Sequence, residues 1–340
     1  MAGRRLTQRQ QERIRRLHER RRAHSQQPTS TPDETGLGAA QTGLVITHYG
    51  ANLVVENRQR QLYHCTVRQN LGRLACGDRV IWQASSKTEG VVVAVTGRRS
   101  LLTRPDYHGQ PKPVAANLDT VAIVLAPKPD LSEALIDRYL VAISAIGARG
   151  LLVLNKLDLL DKTTLAMLRE RLAEYEKIGY PLLLASSHTA HGLDTLRDRL
   201  CGHVSLLVGQ SGVGKSSLIK ALLPDRDIRI QAVSATTGHG AHTTTASTLY
   251  HLPDGGDLID TPGVRSFELG KITLTTLDQG FPELSAHFGH CQFSDCRHAV
   301  EPDCALRTAV SRGEISQRRL DSYRQLRTEL EAIEKSGRYS

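Results

Sequence analysis

Aromatic residues and long apolar runs are scarce in this chain of 340 residues. Only 4% of the residues are aromatic, with one Trp, nine Tyr and four Phe. No apolar stretch approaches the roughly 20 residues that cross a bilayer, and the N-terminus lacks the apolar core of a signal peptide. We therefore expect a cytoplasmic protein with no membrane association. The length predicts two or three domains.

Cysteine is also sparse, which argues against a disulfide framework. Of the six Cys, three lie with one His inside fourteen residues: Cys291, Cys296, His298 and Cys304. Three thiolates and one imidazole suit a tetrahedral structural Zn²⁺, and four protein ligands leave no open position for catalysis. Free cysteines in a small domain are the alternative, and His287 and His290 are competing ligands if the loop runs otherwise.

Acidic residues do not balance the basic ones, and the formal net charge is +9. Residues 1–24 carry nine Arg against two Glu. Such a run favours nucleic acid or another polyanion, whereas the alternative is a solvated basic tail without a specific partner. Residues 25–41 are polar, contain Pro and Gly, and are typical of a linker.

Residues 42–105 contain short runs rich in β-forming residues, separated by turn-like segments. The predicted strands are Leu44–Thr47, Leu53–Val55, Leu62–Val67, Arg79–Trp82 and Val91–Val95. Five short strands in so few residues predict a small closed barrel of the OB-fold type. OB barrels often stack bases on aromatic side chains, but aromatics are few here and we expect Trp82 in the core.

Residues 106–270 alternate apolar strands with helical patterns, which predicts an α/β domain with a doubly wound parallel sheet. The predicted strands are Thr120–Ala126, Leu151–Leu154, Pro181–Ala185, Val204–Val208 and one ending at Leu258–Ile259. The predicted helices are Leu131–Ile146 with Ser132 as its cap, Thr164–Ile178, Gly192–Leu200 and Ser217–Leu223. Residues 271–340 are predicted to form a mostly helical zinc-binding domain that ends in a helix over Glu314–Lys335.

One run between a predicted strand and a predicted helix matches the P-loop pattern: Gly209-Gln210-Ser211-Gly212-Val213-Gly214-Lys215-Ser216. Glycines let the backbone curl so that N–H groups face phosphate oxygens. Lys215 is predicted to reach the β- and γ-phosphates, and Ser216 to offer its hydroxyl to Mg²⁺. We include Ser217, at the start of the helix, in the predicted nucleotide site.

A second run, Asn155-Lys156-Leu157-Asp158, follows an apolar strand and looks like the base-reading motif of GTPases. The carboxylate of Asp158 accepts hydrogen bonds from guanine N1–H and the N2 amine. Adenine would leave that carboxylate unpaired, and sites of this kind reject such analogues strongly. Asn155 is predicted to tie this loop to the P-loop, and Ala185-Ser186-Ser187 resembles the backbone element that contacts the guanine oxygen.

A third run, Asp260-Thr261-Pro262-Gly263, ends a predicted strand. Asp260 is predicted to hold Mg²⁺ through water and Gly263 to contact the γ-phosphate. The preceding segment contains His242 and three threonines, Thr243, Thr244 and Thr245, one of which would complete the Mg²⁺ site when a mobile switch closes. We favour Thr244 but leave the other two open.

The order of these motifs is unusual, because the base-reading motif precedes the P-loop instead of following it. The site is therefore predicted to be circularly permuted, and its switch segment runs directly toward the C-terminal domain. Val264 also occupies the position of the water-orienting Gln of Ras-type enzymes. Intrinsic hydrolysis is expected to be slow, with His242 as the local candidate for the missing role or, alternatively, an ordinary loop histidine.

Together these motifs resemble the RsgA (YjeQ) family of circularly permuted GTPases. Further matching residues are Cys76-Gly77-Asp78-Arg79-Val80, Arg99–Pro105 and Asn117-Leu118-Asp119. The resemblance covers nearly the whole chain from about residue 42. The switch loop is poorer in Arg than is usual in the family, and the Arg-rich N-terminal extension exceeds the family minimum.

The resemblance implies a GTPase of late small-subunit maturation that converts GTP to GDP and phosphate, with Mg²⁺ and one structural Zn²⁺. It implies binding to the small ribosomal subunit and its 16S-type rRNA, stimulation by the ribosome, and release of assembly factors. It also implies that Cys291, Cys296, His298 and Cys304 ligate the zinc. We expect a monomer.

Two other classes of function stay open at this stage. A nucleotide-regulated RNA-binding module would bind GTP with negligible turnover. A regulatory GTPase on a membrane or protein target would need an anchor that the sequence does not contain.

Overall fold

The computed structural model describes residues 37–49, 52–69, 71–106, 110–224, 247–261 and 272–335. The chain divides into two compact units. The first comprises Met1–Leu118, Cys201–Leu206 and Leu223–Gly263, and the second comprises Asp119–Leu200, Leu207–Leu222 and Val264–Ser340.

The described residues form thirteen strands and eight α-helices. The strands are β1 Ala40–Tyr49, β2 Asn52–Glu56, β3 Leu62–Val67, β4 Arg79–Ala84, β5 Glu89–Val95, β6 Leu101–Pro105, β7 Pro111–Ala116, β8 Thr120–Leu125, β9 Arg149–Leu154, β10 Leu182–Leu184, β11 Val204–Val208, β12 Thr248–His251 and β13 Asp257–Asp260. The helices are α1 Glu133–Ala145, α2 Lys162–Lys177, α3 Leu193–Leu200, α4 Lys215–Leu222, α5 Leu274–Gln279, α6 Pro282–Ser285, α7 Ala305–Ser311 and α8 Gln317–Lys335.

The first five strands close into the predicted N-terminal barrel. Neighbouring strands pair antiparallel except β3 and β5, which pair in parallel, and β1 closes the ring by also pairing with β4. Trp82 is fully buried, as expected, and its ring lies 4.4 Å from that of Tyr63. Apolar side chains that alternate along the strands fill the interior, so the barrel has a core of its own.

The rest of the first unit contains two antiparallel strand pairs. Strands β6 and β7 form a separate two-stranded sheet that the sequence did not predict as strands, because Pro111 and Pro113 lie in β7 and proline interrupts a ladder. Strands β12 and β13 form the β12–β13 ribbon (residues 248–260), whose last residue, Asp260, pairs with Thr248. Strand β13 runs parallel to β11, with Leu206 opposite Ile259.

The second unit has the expected α/β order. Strands β8, β9 and β10 pair in parallel, and β8 is buried along its whole length, as a strand covered on both faces should be. Ser132 caps α1 as predicted, since its side chain accepts from the N–H of Leu135. Asp161 caps α2 in the same way.

The C-terminal module (residues 272–335) is mostly helical, as predicted. Leu320, Tyr323, Leu326 and Leu330 on one face of α8 are buried. Val141 of α1 belongs to the same core, and a Cβ on Gly280 would lie 2.7 Å from its side chain. The module therefore packs its core directly against α1, where glycine allows a close approach.

The predicted fold class is confirmed: an OB-type barrel, a central α/β P-loop domain with permuted motifs, and a helical C-terminus with a Cys/His cluster. Most predicted elements have bounds within a few residues of the observed ones. Within the described ranges, no helix combines the length and the apolar character needed to cross a bilayer.

Candidate functional site

The glycines of the loop between β11 and α4 hold conformations that other residues rarely adopt. Gly212 and Gly214 have φ angles of 84° and 93°, and Gly209 has a φ of 140°. A Cβ on Gly209 would lie 2.3 Å from the carbonyl oxygen of Val124. Glycine is required here both for the backbone angle and for the space, and this tight curl is the shape from which P-loops bind phosphate.

The charged and hydroxyl groups of the loop sit where α4 begins. Lys215 Nζ donates to the carbonyl oxygens of Gly209 and Gln210, at 2.7 and 2.6 Å, so the ammonium lies against the curl of the loop. Ser216 and Ser217 are exposed in the first turn of α4. Ser211 is also exposed, whereas Val213 is buried and anchors the loop.

Asn155 joins the second motif to the P-loop. Its side chain is fully buried, its Nδ2 donates to the carbonyl oxygen of Val213 at 3.0 Å, and its Oδ1 accepts from the N–H of Ser187 at 3.3 Å. A Cβ on Gly214 would lie 2.3 Å from that Nδ2. The two loops therefore interlock, and glycine at 214 makes room for the amide.

Lys156 reinforces this connection from outside. It has a left-handed backbone with a φ of 65°, and its Nζ donates to the carbonyl oxygen of Gly212. The stem of the side chain thus runs alongside the P-loop. Leu157 opens the short 3-10 turn, Leu157–Leu159, that carries the next functional group.

Asp158 presents an exposed carboxylate that is oriented by a buried serine. Its Oδ1 accepts from the Ser186 hydroxyl, and Ser186 is fully buried just after β10. This hydrogen bond is the main reason that the pKa of Asp158 lies below its usual value, so the group is an ionised acceptor at neutral pH. The sequence indicated only a backbone role for Ser186 and missed its hydroxyl.

Asp260 ends β13 and is half-buried. Its carboxylate offers oxygen atoms, which are the ligands that Mg²⁺ prefers. The other predicted residues of this part of the site, His242, Thr244, Gly263 and Val264, lie outside the described residues.

The structure brings the four predicted metal ligands together. The ligand atoms of Cys291, Cys296, His298 and Cys304 all lie within 4.8 Å of one another. His298 Nδ1 is 3.4 Å from Cys291 Sγ and 3.5 Å from Cys304 Sγ, and these two sulfurs are 4.0 Å apart. Ligand atoms of a tetrahedral zinc site stand about 3.8 Å apart when the bonds are about 2.3 Å. The donor set and its spacing therefore fit a metal ion.

The loop that carries His298 is fixed by a carboxylate. Glu301 accepts from the N–H groups of Arg297, Ala299 and Val300. The N–H of Glu301 itself, together with these three, lowers the pKa of Glu301 to about 2, because backbone N–H groups stabilise the charged form. The predicted competitor His287 faces Glu314 at 3.6 Å instead.

Comparison with known proteins points to one family. The model of the RsgA GTPase family matches residues 95–270. A protein of Azotobacter vinelandii named small ribosomal subunit biogenesis GTPase RsgA is 48% identical over 334 residues, which cover 96% of this chain and 97% of the relative.

Solved structures agree with this assignment. The crystal structure of YjeQ from Thermotoga maritima is 33% identical, with a TM-score of 0.70, and the match covers 86% of this chain and 98% of that one. The structure of YloQ, described as a circularly permuted GTPase, is 29% identical with a TM-score of 0.68, over 86% and 96% of the two chains.

Proposed function

This chain belongs to the RsgA family of small ribosomal subunit biogenesis GTPases, and from this premise we propose that the small ribosomal subunit stimulates its GTP hydrolysis. The chain is a GTP hydrolase of small-subunit biogenesis. Hydrolysis late in maturation would accompany release of assembly factors and of the protein itself. The observation that supports GTP as the nucleotide is the interlock of Asn155 with the P-loop, because it makes one site from a base-reading loop and a phosphate-binding loop.

The base and the phosphates are recognised by different chemistry. Asp158 accepts from guanine N1–H and the N2 amine, with Ser186 holding the carboxylate in place, and Lys156 packs along the base. The backbone N–H groups of residues 209–217 and the Lys215 ammonium bind the phosphates. Guanine is selected because adenine would leave the Asp158 carboxylate without donors.

The magnesium ion, when bound, neutralises charge on the phosphates. Ser216 would hold it directly, Asp260 would hold it through water, and Thr244 would complete the site. Gly263 contacts the γ-phosphate. Val264 cannot orient water, so we expect the protein alone to turn over slowly. His242 or a group of the ribosome would have to supply that role.

The Cys/His cluster is proposed to hold one structural Zn²⁺. Its three thiols and one imidazole match the ligand preference of zinc, and all four positions are taken by protein atoms. The ion would tie the loop around His298 to the core formed by Cys296 and Cys304.

The remaining assignments concern partners and domains. The barrel (residues 42–105) and the zinc-binding domain (residues 271–340) contact 16S-type rRNA, while residues 106–270 form the GTPase domain. The Arg-rich residues 1–24 add affinity for RNA by charge. The protein acts as a cytoplasmic monomer without membrane contact.

The test is GTP hydrolysis by the purified protein with and without small ribosomal subunits. We expect slow turnover alone and a rise of orders of magnitude with subunits, because the subunit completes the catalytic site. An unchanged rate would contradict stimulation. Turnover that stays negligible in both conditions would favour the alternative, a nucleotide-regulated RNA-binding module.

A further inference from the structure

The barrel contacts the β12–β13 ribbon at both ends and in the middle. This ribbon follows the switch segment in the chain and delivers Asp260 at its last residue. The barrel residues involved are Thr47, Glu56 and Gly77, which belong to β1, β2 and the turn before β4.

A β-bulge in β1 orients Thr47, which makes the first contact. The register of β1 against β2 shifts between Val45 and Thr47, and such an extra residue re-aims the side chains that follow it. Thr47 is 2% exposed, its hydroxyl donates to the carbonyl oxygen of Ser247 at 2.9 Å, and it pairs with Thr248. Thr248 is the residue opposite Asp260, so Thr47 holds the ribbon at the level of that carboxylate.

The second contact is an imidazole between two carboxylates. His251 Nδ1 lies 2.6 Å from Asp257 Oδ1 within the ribbon, and His251 Nε2 lies 2.9 Å from Glu56 Oε1 of the barrel. All three side chains are less than a quarter exposed. Such charge-assisted bonds are stronger than neutral ones, so the far end of the ribbon is also attached to the barrel.

The third contact is close packing. A Cβ on Gly77 would lie 2.5 Å from the carbonyl oxygen of Ala116 and 3.1 Å from the side chain of Ile259. Gly77 itself has a φ of 85°. Ile259 directly precedes Asp260, so the turn of the barrel lies against the side chain of the residue next to the carboxylate.

We propose that Thr47, Glu56 and Gly77 of the barrel are positioning residues for the Mg²⁺ step of GTP binding and hydrolysis, because they set the place of Asp260. The inference rests on the proposed function of Asp260. Each of the three residues acts through the ribbon. Catalysis is sensitive to such placement. A distant substitution that misplaces the reacting groups by about 1 Å lowers rates up to about a hundredfold.

Two variants test this with little change of shape. Glu56→Gln removes the charge on the barrel side and leaves the His251–Asp257 pair intact, and Thr47→Val removes the hydroxyl at nearly constant volume. In each variant we expect kcat to fall about tenfold and the Mg²⁺ concentration for half-maximal rate to rise about tenfold. The KM for GTP at saturating Mg²⁺ should stay within about twofold.

The Mg²⁺ dependence of binding of a hydrolysis-resistant GTP analogue gives a second readout that needs no turnover. It should shift in the same direction and by a similar factor. Thr47→Ser, which keeps the hydroxyl, should restore both readouts. Thr96→Val is the matched control, because it removes a threonine bond to the carbonyl oxygen of Arg79 elsewhere in the barrel and should leave both unchanged.

The outcomes separate this inference from the proposed function. Folded Glu56→Gln and Thr47→Val proteins with wild-type kcat and wild-type Mg²⁺ dependence would overturn the inference while GTP turnover by the wild type stands. A wild type without turnover, even with small subunits, would overturn the proposed function. In that case a shifted Mg²⁺ dependence of analogue binding would still support the inference, and an unshifted one would overturn it.

Discussion

The barrel and the C-terminal module differ in which residues form their cores and in how each contacts its neighbouring elements. The barrel closes its strands on themselves and fills its core with its own side chains. It holds the β12–β13 ribbon through a hydroxyl, a partly exposed imidazole and a close packing contact. The core of the C-terminal module instead includes Val141 of α1 and the thiols of Cys296 and Cys304.

The C-terminal module is attached through buried charges. Asp137 of α1 is fully buried and accepts from Arg318 at 2.8 Å, from Arg319 at 2.6 Å and from the hydroxyl of Tyr175 at 2.7 Å. Arg319, 1% exposed, also donates to Glu283. Removing one partner of a buried ion pair strongly destabilises the protein, so this attachment tolerates little adjustment. The Glu56–His251 contact of the barrel is closer to water and tolerates more.

The largest expected effect is that of removing the proposed metal ion from the C-terminal module. Cys296→Ser, or treatment with a chelator, should remove the bound ion and the hydrogen-exchange protection of α8, while the amides of β4 and β5 keep theirs. The reason is that a structural zinc contributes about 10 kcal/mol to folding, and the barrel has no such requirement. Metal analysis of the full chain measures the bound ion. Hydrogen exchange measures the protection of α8 and of β4 and β5 in the same sample.

Cys65→Ala is the control for this experiment. Cys65 is a buried thiol of the barrel core, and its removal should leave the metal content unchanged. Full protection of α8 after the metal has been removed would show that the module does not depend on its ion.

The next effect concerns the buried charges. Asp137→Asn should lower the free energy of unfolding by about 3 to 5 kcal/mol, because the new amide turns N–H groups toward guanidinium donors and leaves Arg319 less well paired. Urea denaturation measures this. Glu329→Gln is the control, since it breaks a pair with Arg138 between the same two helices at about one-third exposure and should change stability by less than about 1 kcal/mol.

If Asp137→Asn and Glu329→Gln lowered the free energy of unfolding equally, burial would not decide how strongly the C-terminal module is attached. A large loss of stability in Asp137→Asn alone would show that the buried charges hold the module more strongly than the exposed pair does.

The smallest effect is a pH dependence at the barrel. The hydrogen bond to Asp257, followed by that to Glu56, raises the pKa of His251 from 6.5 to about 9. A raised pKa adds stability that is fully present below pH 6.5 and is lost as the pH rises through 9. The His251 side chain is 17% exposed, and water screens the pairs, so we expect about 1 to 2 kcal/mol.

The measurement is the free energy of unfolding of wild type and His251→Gln at pH 7.5 and pH 10. The gap between them should narrow by that amount at the higher pH, because neutral His251 no longer attracts the carboxylates. A gap that is independent of pH would contradict the charged pairing. Arg318 and Arg319 do not lose their charge in this range, so the C-terminal attachment should show no such change.

Local patterns predicted the parts of the site whose chemistry lies within a few residues. Gly209 to Ser216, Asn155 to Asp158 and the Cys/His spacing each place their functional groups on one loop, so residue type and order are enough to recognise them. The strands of the barrel and the helices of the second unit follow from apolar periodicity.

Those local patterns do not predict contacts between segments that are distant in the sequence. Asp137 and Arg318 are 181 residues apart, and α1 shows an aspartate on a face that periodicity alone assigns to water. The bulge at Ile46 and the hydroxyl of Ser186 depend on neighbours that only the fold supplies. The expected roles of His242, Thr244 and Gly263 stay predictions, since these residues lie outside the described part of the chain.

The interlock of Asn155 with the P-loop has a consequence for the order of events during synthesis. Asn155 leaves the ribosome 58 residues before Val213, whose carbonyl oxygen accepts its amide hydrogen. In a chain with the usual motif order, the phosphate loop is made first. Here the base-reading strand and loop are made first, and the P-loop follows. Glycine at 214 leaves room for the side-chain amide of Asn155 when the P-loop packs against it. A nascent chain of this protein therefore acquires its nucleotide site late, only after β11 and α4 have emerged.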